Sequence, residues 1–98
     1  MMNLTYDEVA NRIRVAGELT FNTAANGIEM GKELFAEAAV LEMDLSEVTR
    51  SDSAGLALLI EWMRQASSLN KPIRYFNMPP QMVAMAEASG LEELLPLQ

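Results

Sequence analysis

The chain begins with two short stretches in which apolar and polar positions alternate. Residues 4–7 (LTYD) and 11–17 (NRIRVAG) read as strands. In the second, Ile13 and Val15 alternate with Arg12 and Arg14, the period of two expected of a strand with one wet face. Residues 8–11 supply the turn between them. The period then changes. Over 22–38 (NTAANGIEMGKELFAEA), Ile28, Leu34, Phe35 and Ala38 can share one face of a helix, with Thr20 or Asn22 as its cap. Gly27 and Gly31 weaken that helix by roughly 1 kcal/mol each relative to alanine. Residues 39–45 (AVLEMDL) are mostly apolar and read as a strand, and 46–52 as a polar loop.

The strongest helical pattern follows, over 53–69. Leu56, Leu59, Ile60, Met63 and Ala66 recur at the i, i+3, i+4, i+7 spacing of a buried stripe. Pro72 ends that segment, and 73–76 (IRYF) is a last alternating strand. Pro79 and Pro80 start a third helix, which Gly90 stops near Ser89. Met78, Met82 and Met85 repeat along it as a core stripe, and LEELLPLQ forms a final helical turn with an acidic exposed side. The order β-β-α-β-α-β-α predicts an α/β fold. It comprises a mixed four-stranded sheet, antiparallel at its first pair and parallel through right-handed crossovers thereafter, packed with three to four helices.

Composition narrows what such a fold does. The 98 residues are 50% apolar and suit one globular domain over 1–98. A net charge of −7, with scattered basic residues, argues against a sequence-independent grip on nucleic acid and against docking on an anionic membrane through a basic patch. There is no cysteine and no histidine, which removes thiol chemistry, the usual zinc ligand sets and the commonest general base. The N-terminal residues lack a signal-peptide core, and the longest apolar run, 54–60, is too short to span a bilayer. A soluble cytoplasmic module without a metal or cofactor is expected. The sequon at Asn3 is read as chance.

Candidate chemistry concentrates at "SEVTRSDSAGLALLIEW", residues 46–62. Ser53 stands where the helix begins, and a serine there caps unpaired backbone N–H groups. A phosphoserine at the same place would meet the positive end of the helix dipole. Asp52 is the alternative cap, which frees the Ser53 hydroxyl to face outwards. Gly55 admits close approach of backbone or of a partner. Trp62 lies at the border of the apolar stripe, as core or as an anchor for a partner. Glu18, Asp44 and Asp52 each fall near a strand end or just before a helix, where open α/β sheets build sites, so a carboxylate-based hydrolase is conceivable. No nucleophile–base pair, metal-ligand spacing or phosphate-cradling loop accompanies them, and solvated loop acids and caps are the simpler reading.

These pieces resemble the STAS family (sulfate transporter and anti-sigma factor antagonist domains). The resemblance rests on "VAGELT" at 15–20 and "LEMDLSEVTRSDSAGLALLI" at 41–60, followed by a strand–helix pair. It implies a STAS-like fold and action by binding, without catalysis or cofactor. In the family's anti-sigma factor antagonists a partner serine kinase phosphorylates the residue after the loop aspartate, here Ser53. Within the family the chain looks most like the small STAS subunit of bacterial Mla phospholipid-transport ABC complexes, which sits on the cytoplasmic ATPase at the inner membrane. The partner surface so implied comprises Thr49, Arg50, Asp52, Ser53, Ala54, Gly55, Leu56 and Trp62. The partner is an ABC transporter ATPase, or alternatively an anti-sigma factor kinase.

Overall fold

The computed structural model describes residues 1–98. Seven elements follow one another: strands β1 (Met2–Asp7) and β2 (Arg12–Leu19), helix α1 (Ala24–Glu37), strand β3 (Leu41–Ser51), helix α2 (Ser53–Ser68), strand β4 (Ile73–Phe76) and helix α3 (Pro80–Ala88). The strands form one sheet in the order β1-β2-β3-β4. β1 pairs antiparallel with β2, while β2–β3 and β3–β4 are parallel. The mixed four-stranded sheet expected from the alternation is therefore present.

Alternation decides which face is buried. Ile13, Val15 and Leu19 of β2 and Leu41, Met43 and Leu45 of β3 are buried under the helices. The intervening residues lie on an open, charged face, where Arg14 pairs with Asp7 (2.8 Å) and Glu47 (3.2 Å), and the Arg12 guanidinium lies 3.8 Å from the centroid of the Phe76 ring. No helix is long and apolar enough to cross a membrane.

Several boundaries depart from the pattern-based expectation. The polar segment 46–51 is not a loop but the second half of β3, which runs in extended form to Ser51. Its polar residues pair with the end of β2 through two register shifts, and paired backbone needs no apolar side chains. β3 starts at Leu41 rather than at residue 39, and α1 is preceded by Thr23 rather than by Thr20 or Asn22. The C-terminal segment is a turn that ends beside β4: the Tyr75 N–H donates to Pro96 O (3.0 Å) and the Gln98 N–H to Tyr75 O (2.9 Å).

The buried stripe of α2 is also rotated from the expected one. Leu56, Leu58, Leu59, Trp62, Gln65 and Ala66 face inward, whereas Ile60 and Met63 are half-buried. The cause lies in α1, whose glycines are its contact surface. A Cβ on Gly27 would lie 2.5 Å from Leu58, and one on Gly31 would lie 2.9 Å from Trp62. The bare backbone lets the indole in, and Trp62 Nε1 donates to Gly27 O at 2.9 Å while Gln65 Nε2 donates to Ile28 O at 3.1 Å. Positions that weaken an isolated helix thus allow the two helices to meet. Of the methionine stripe, Met82 is core, with Met78 and Met85 packed against it.

Candidate functional site

The parallel strands end together. Leu19, the last residue of β2, registers with Ser51, the last of β3, and Asp52 N–H donates to Leu19 O at 3.2 Å. The chain then turns directly into α2. Its first turn has unpaired N–H groups, and Asp52 takes them: Oδ1 accepts from Ala54 N (2.9 Å) and Gly55 N (3.2 Å). The other carboxylate oxygen, Oδ2, accepts from Phe21 N at 3.1 Å. One side chain therefore ties the start of α2 to the loop that leaves β2. The Phe21 N–H is the main reason the Asp52 carboxyl is held below the usual aspartate range; partial burial opposes it, and the Gly55 and Ala54 N–H groups and the Arg50 cation add to the depression.

The β2–α1 loop is braced from its other side. Thr23 Oγ1 accepts from Thr20 N (3.0 Å) and donates to Glu18 O (2.7 Å). Gly55 lets α2 start hard against this end of β2, since a Cβ there would lie 2.0 Å from Leu19 O. The result is a junction of two chain segments with little freedom, and on it stands a displayed surface. Ser53 is exposed, as are Thr49 and Arg50 near the end of strand β3 and Asn22 in the facing loop. Phe21 is 82% exposed.

The cap at the start of α2 is thus Asp52 and not Ser53, and the Ser53 hydroxyl lies outside the helix's own hydrogen bonding. Thr49, Arg50 and Ser53 are exposed, Asp52 and Ala54 half-buried, and Gly55 and Leu56 buried. Gly55 accommodates the backbone of β2 rather than a partner. Trp62 is a correction to the anchor reading: it is 0% exposed, bonded to α1 and edge-on to Phe35 with ring centroids 6.2 Å apart, so no partner reaches it in this fold. Phe21 is the residue that sequence reasoning missed. Its signal was an aromatic side chain between a strand end and a helix start, out of phase with both periodicities.

The three acids of the hydrolase reading do not converge. Asp44 lies back along β3, eight residues and roughly 25 Å of extended chain from Asp52. Its carboxylate is occupied locally, accepting from Ser46 N (2.9 Å) and Asn77 Nδ2 (3.1 Å). Burial pushes its pKa up, but these bonds and the Arg12 charge outweigh that and hold it below the usual value. No group of three or more acidic side chains is placed to hold a metal ion.

A family model described as "Mlab, STAS domain" matches residues 2–96. The intermembrane phospholipid transport system binding protein MlaB of Haemophilus influenzae is 33% identical over 57 residues, 58% of this chain and 54% of that protein, so the match spans about half the relative's length. Among solved structures, the Thermotoga maritima protein tm1081 superposes with a TM-score of 0.75 at 14% identity, over 99% of this chain and 85% of that one. An anti-sigma factor antagonist from Mycobacterium paratuberculosis gives 0.69 at 20% identity (99% and 83%). The antagonist SpoIIAA in its unphosphorylated form gives 0.65 at 14% identity (89% and 82%). At such identities the structures speak to the fold.

Proposed function

The chain belongs to the STAS domain family, and from that premise we propose that it is a docking subunit of a phospholipid-transport ABC complex. In this reading it binds the cytoplasmic ATPase through the surface around Ser53, and it acts by binding rather than by catalysis. The observation that carries the reading is the junction at the start of α2. An exposed hydroxyl and an exposed phenyl ring stand on backbone that the Asp52 carboxylate holds in place from two sides, with the exposed Arg50 close enough for its charge to act on Asp52. A surface already ordered in the free protein loses little conformational entropy on binding. The transport role is supported by the name of the Haemophilus influenzae relative.

The reading is tested by capturing the tagged chain from its native cell and then measuring affinity for the ATPase it brings down. Ser53→Arg places a long cation in the middle of the surface and should weaken binding at least tenfold, about 1.4 kcal/mol. Phe21→Ala should remove an aromatic anchor and cost about 2 kcal/mol of binding. Ser53→Ala serves as control: because Asp52 holds the cap, its melting should match the parent within about 0.5 kcal/mol. Unchanged affinity in both Ser53→Arg and Phe21→Ala would remove the proposed surface.

A second reading, an antagonist silenced by phosphorylation of Ser53, is supported by the exposed hydroxyl in the first turn of α2. Against it, the Ala54 and Gly55 N–H groups that a phosphate would use already serve Asp52. Recovery of a serine kinase together with phosphate on Ser53, and no ATPase, would favour this second reading.

A further inference from the structure

The two edges of the sheet are treated differently by the chain. On the β4 side, residues 96–98 lie along the edge and bond to both backbone groups of Tyr75. On the β1 side nothing is added: β1 pairs with β2 alone. The register fixes which groups are left over. Met1 O accepts from Glu18 N at 3.0 Å, so Met1 faces β2, and in an antiparallel pair the facing alternates. The N–H and C=O groups of Met2, Leu4 and Tyr6 therefore point away from the sheet. The strand is MNLTYD, with an unbroken register to β2 and neither lysine nor proline to blunt it.

Beside this edge lies an apolar groove. Leu4, Met30 and Leu34 line a hollow of about 250 Å³ between β1 and α1, with Glu33 and Glu37 at its rim. It runs on, sharing Leu34 and Glu37, into a second hollow of about 350 Å³ lined by Tyr6, Ala38 and Ala39. Free strand hydrogen bonds with an apolar floor beneath suit an added strand, whose alternate side chains would enter the groove. The rim chooses between occupants. Two copies of this chain paired edge to edge about a twofold axis would bring Glu33 and Glu37 of both into one seam, between molecules that each carry −7.

We infer that the β1 edge is a second docking site, which takes an extended segment of another protein by strand addition, with apolar side chains over Leu4 and Leu34 and a lysine or arginine against Glu33 and Glu37. The site uses no residue of the Ser53 surface, so it stands or falls independently of the function proposed above.

The test uses the full chain, isotopically labelled, and three capped peptides followed by amide NMR. The first is acetyl-Thr-Val-Thr-Lys-Thr-Val-amide, the second has Glu in place of Lys, and the third is the first with its backbone N-methylated at alternate positions. The lysine peptide is expected to give saturable shifts at Met2, Leu4 and Tyr6, to slow exchange of their amides, and to bind at least fivefold more tightly than the glutamate peptide. The N-methylated peptide should not bind. In the Glu33→Lys/Glu37→Lys variant, whose altered side chains are exposed, the preference between lysine and glutamate peptides should reverse. Equal binding of the two peptides, undiminished binding of the N-methylated one, or shifts centred away from β1 would overturn the inference. So would concentration-dependent dimerisation that protects the same amides without peptide, since that would make a second copy the occupant.

Discussion

Replacing Gly55 with alanine sets two effects against each other. Inside a helix, alanine is favoured over glycine by about 1 kcal/mol. The new Cβ, however, would lie 2.0 Å from the carbonyl oxygen of Leu19 and 2.9 Å from its Cβ, whereas ordinary contact begins at 3.4 Å. α2 must therefore retreat by more than an ångström from the end of β2. The obstacle is strand backbone, which also accepts the Asp52 N–H at 3.2 Å, so it cannot rotate aside as a side chain would. Overpacking against such an obstacle costs about 3 kcal/mol. The net loss is about 2 kcal/mol, or a fall in Tm on the order of 8–16 °C for a domain of this size. The retreat also pulls Asp52 from Phe21, so amide exchange at Phe21 should quicken at temperatures where the rest of the chain is folded. Circular dichroism melts and exchange at Phe21 read both effects. A Tm equal to or above the parent's would refute the reasoning, because helix propensity would then outweigh the contact with Leu19.

Acid should destabilise the protein partly through its two held carboxylates. The ionised forms of Asp52 and Asp44 are favoured in the folded state, so both carboxyls are held below the ordinary aspartate range. Their contribution is complete above about pH 4 and is lost as pH falls through the lower folded-state values. Denaturant melts of Asp52→Asn across that range should show a shallower acid limb, and a limb as steep as the parent's would contradict the assignment. The single tryptophan offers a direct check on its burial. Emission from Trp62 should shift on unfolding and stay fixed when a partner binds, and Trp62→Phe should cost about 2 kcal/mol through the lost bond to Gly27 and the vacated volume. A shift on partner binding would return Trp62 to the interface.

The period-two and period-3.6 patterns carried the fold because they encode which faces are buried, and burial is where most of the driving force lies. They failed where burial is not what holds the backbone. The second half of β3 is extended because it pairs with β2, and its residues from Ser46 to Arg50 are mostly wet, so no apolar pattern marks it. Helix propensity alone misplaces the buried face of α2, because only the packed pair shows that Gly27 and Gly31 make room for Leu58 and Trp62. Lys71 was equally silent in the sequence, yet its ammonium donates to the carbonyls of Phe35 (2.7 Å) and Ala38 (2.8 Å) at the end of α1. At the candidate site, Ser53 and Asp52 were found through local chemistry. Phe21 was not, because its link to Asp52 joins positions far apart in the chain.

That link explains why the motif pairs an aspartate with the hydroxyl residue. A serine cap would bond to its own helix and be consumed by doing so; with Asp52 as cap, the next side chain is left to face outwards. The carboxylate has two oxygens, and only one is needed for the helix. The second reaches Phe21, so the same group that starts α2 also sets the loop carrying the exposed ring. Packing and display are thereby divided between neighbouring residues. Asp52 and Gly55 hold the junction, and changes there alter fold and surface together. Ser53 and Phe21 project from it, and changes there alter the surface alone. Loss of binding at the second pair without loss of stability is the pattern that separates a docking surface from a helix start.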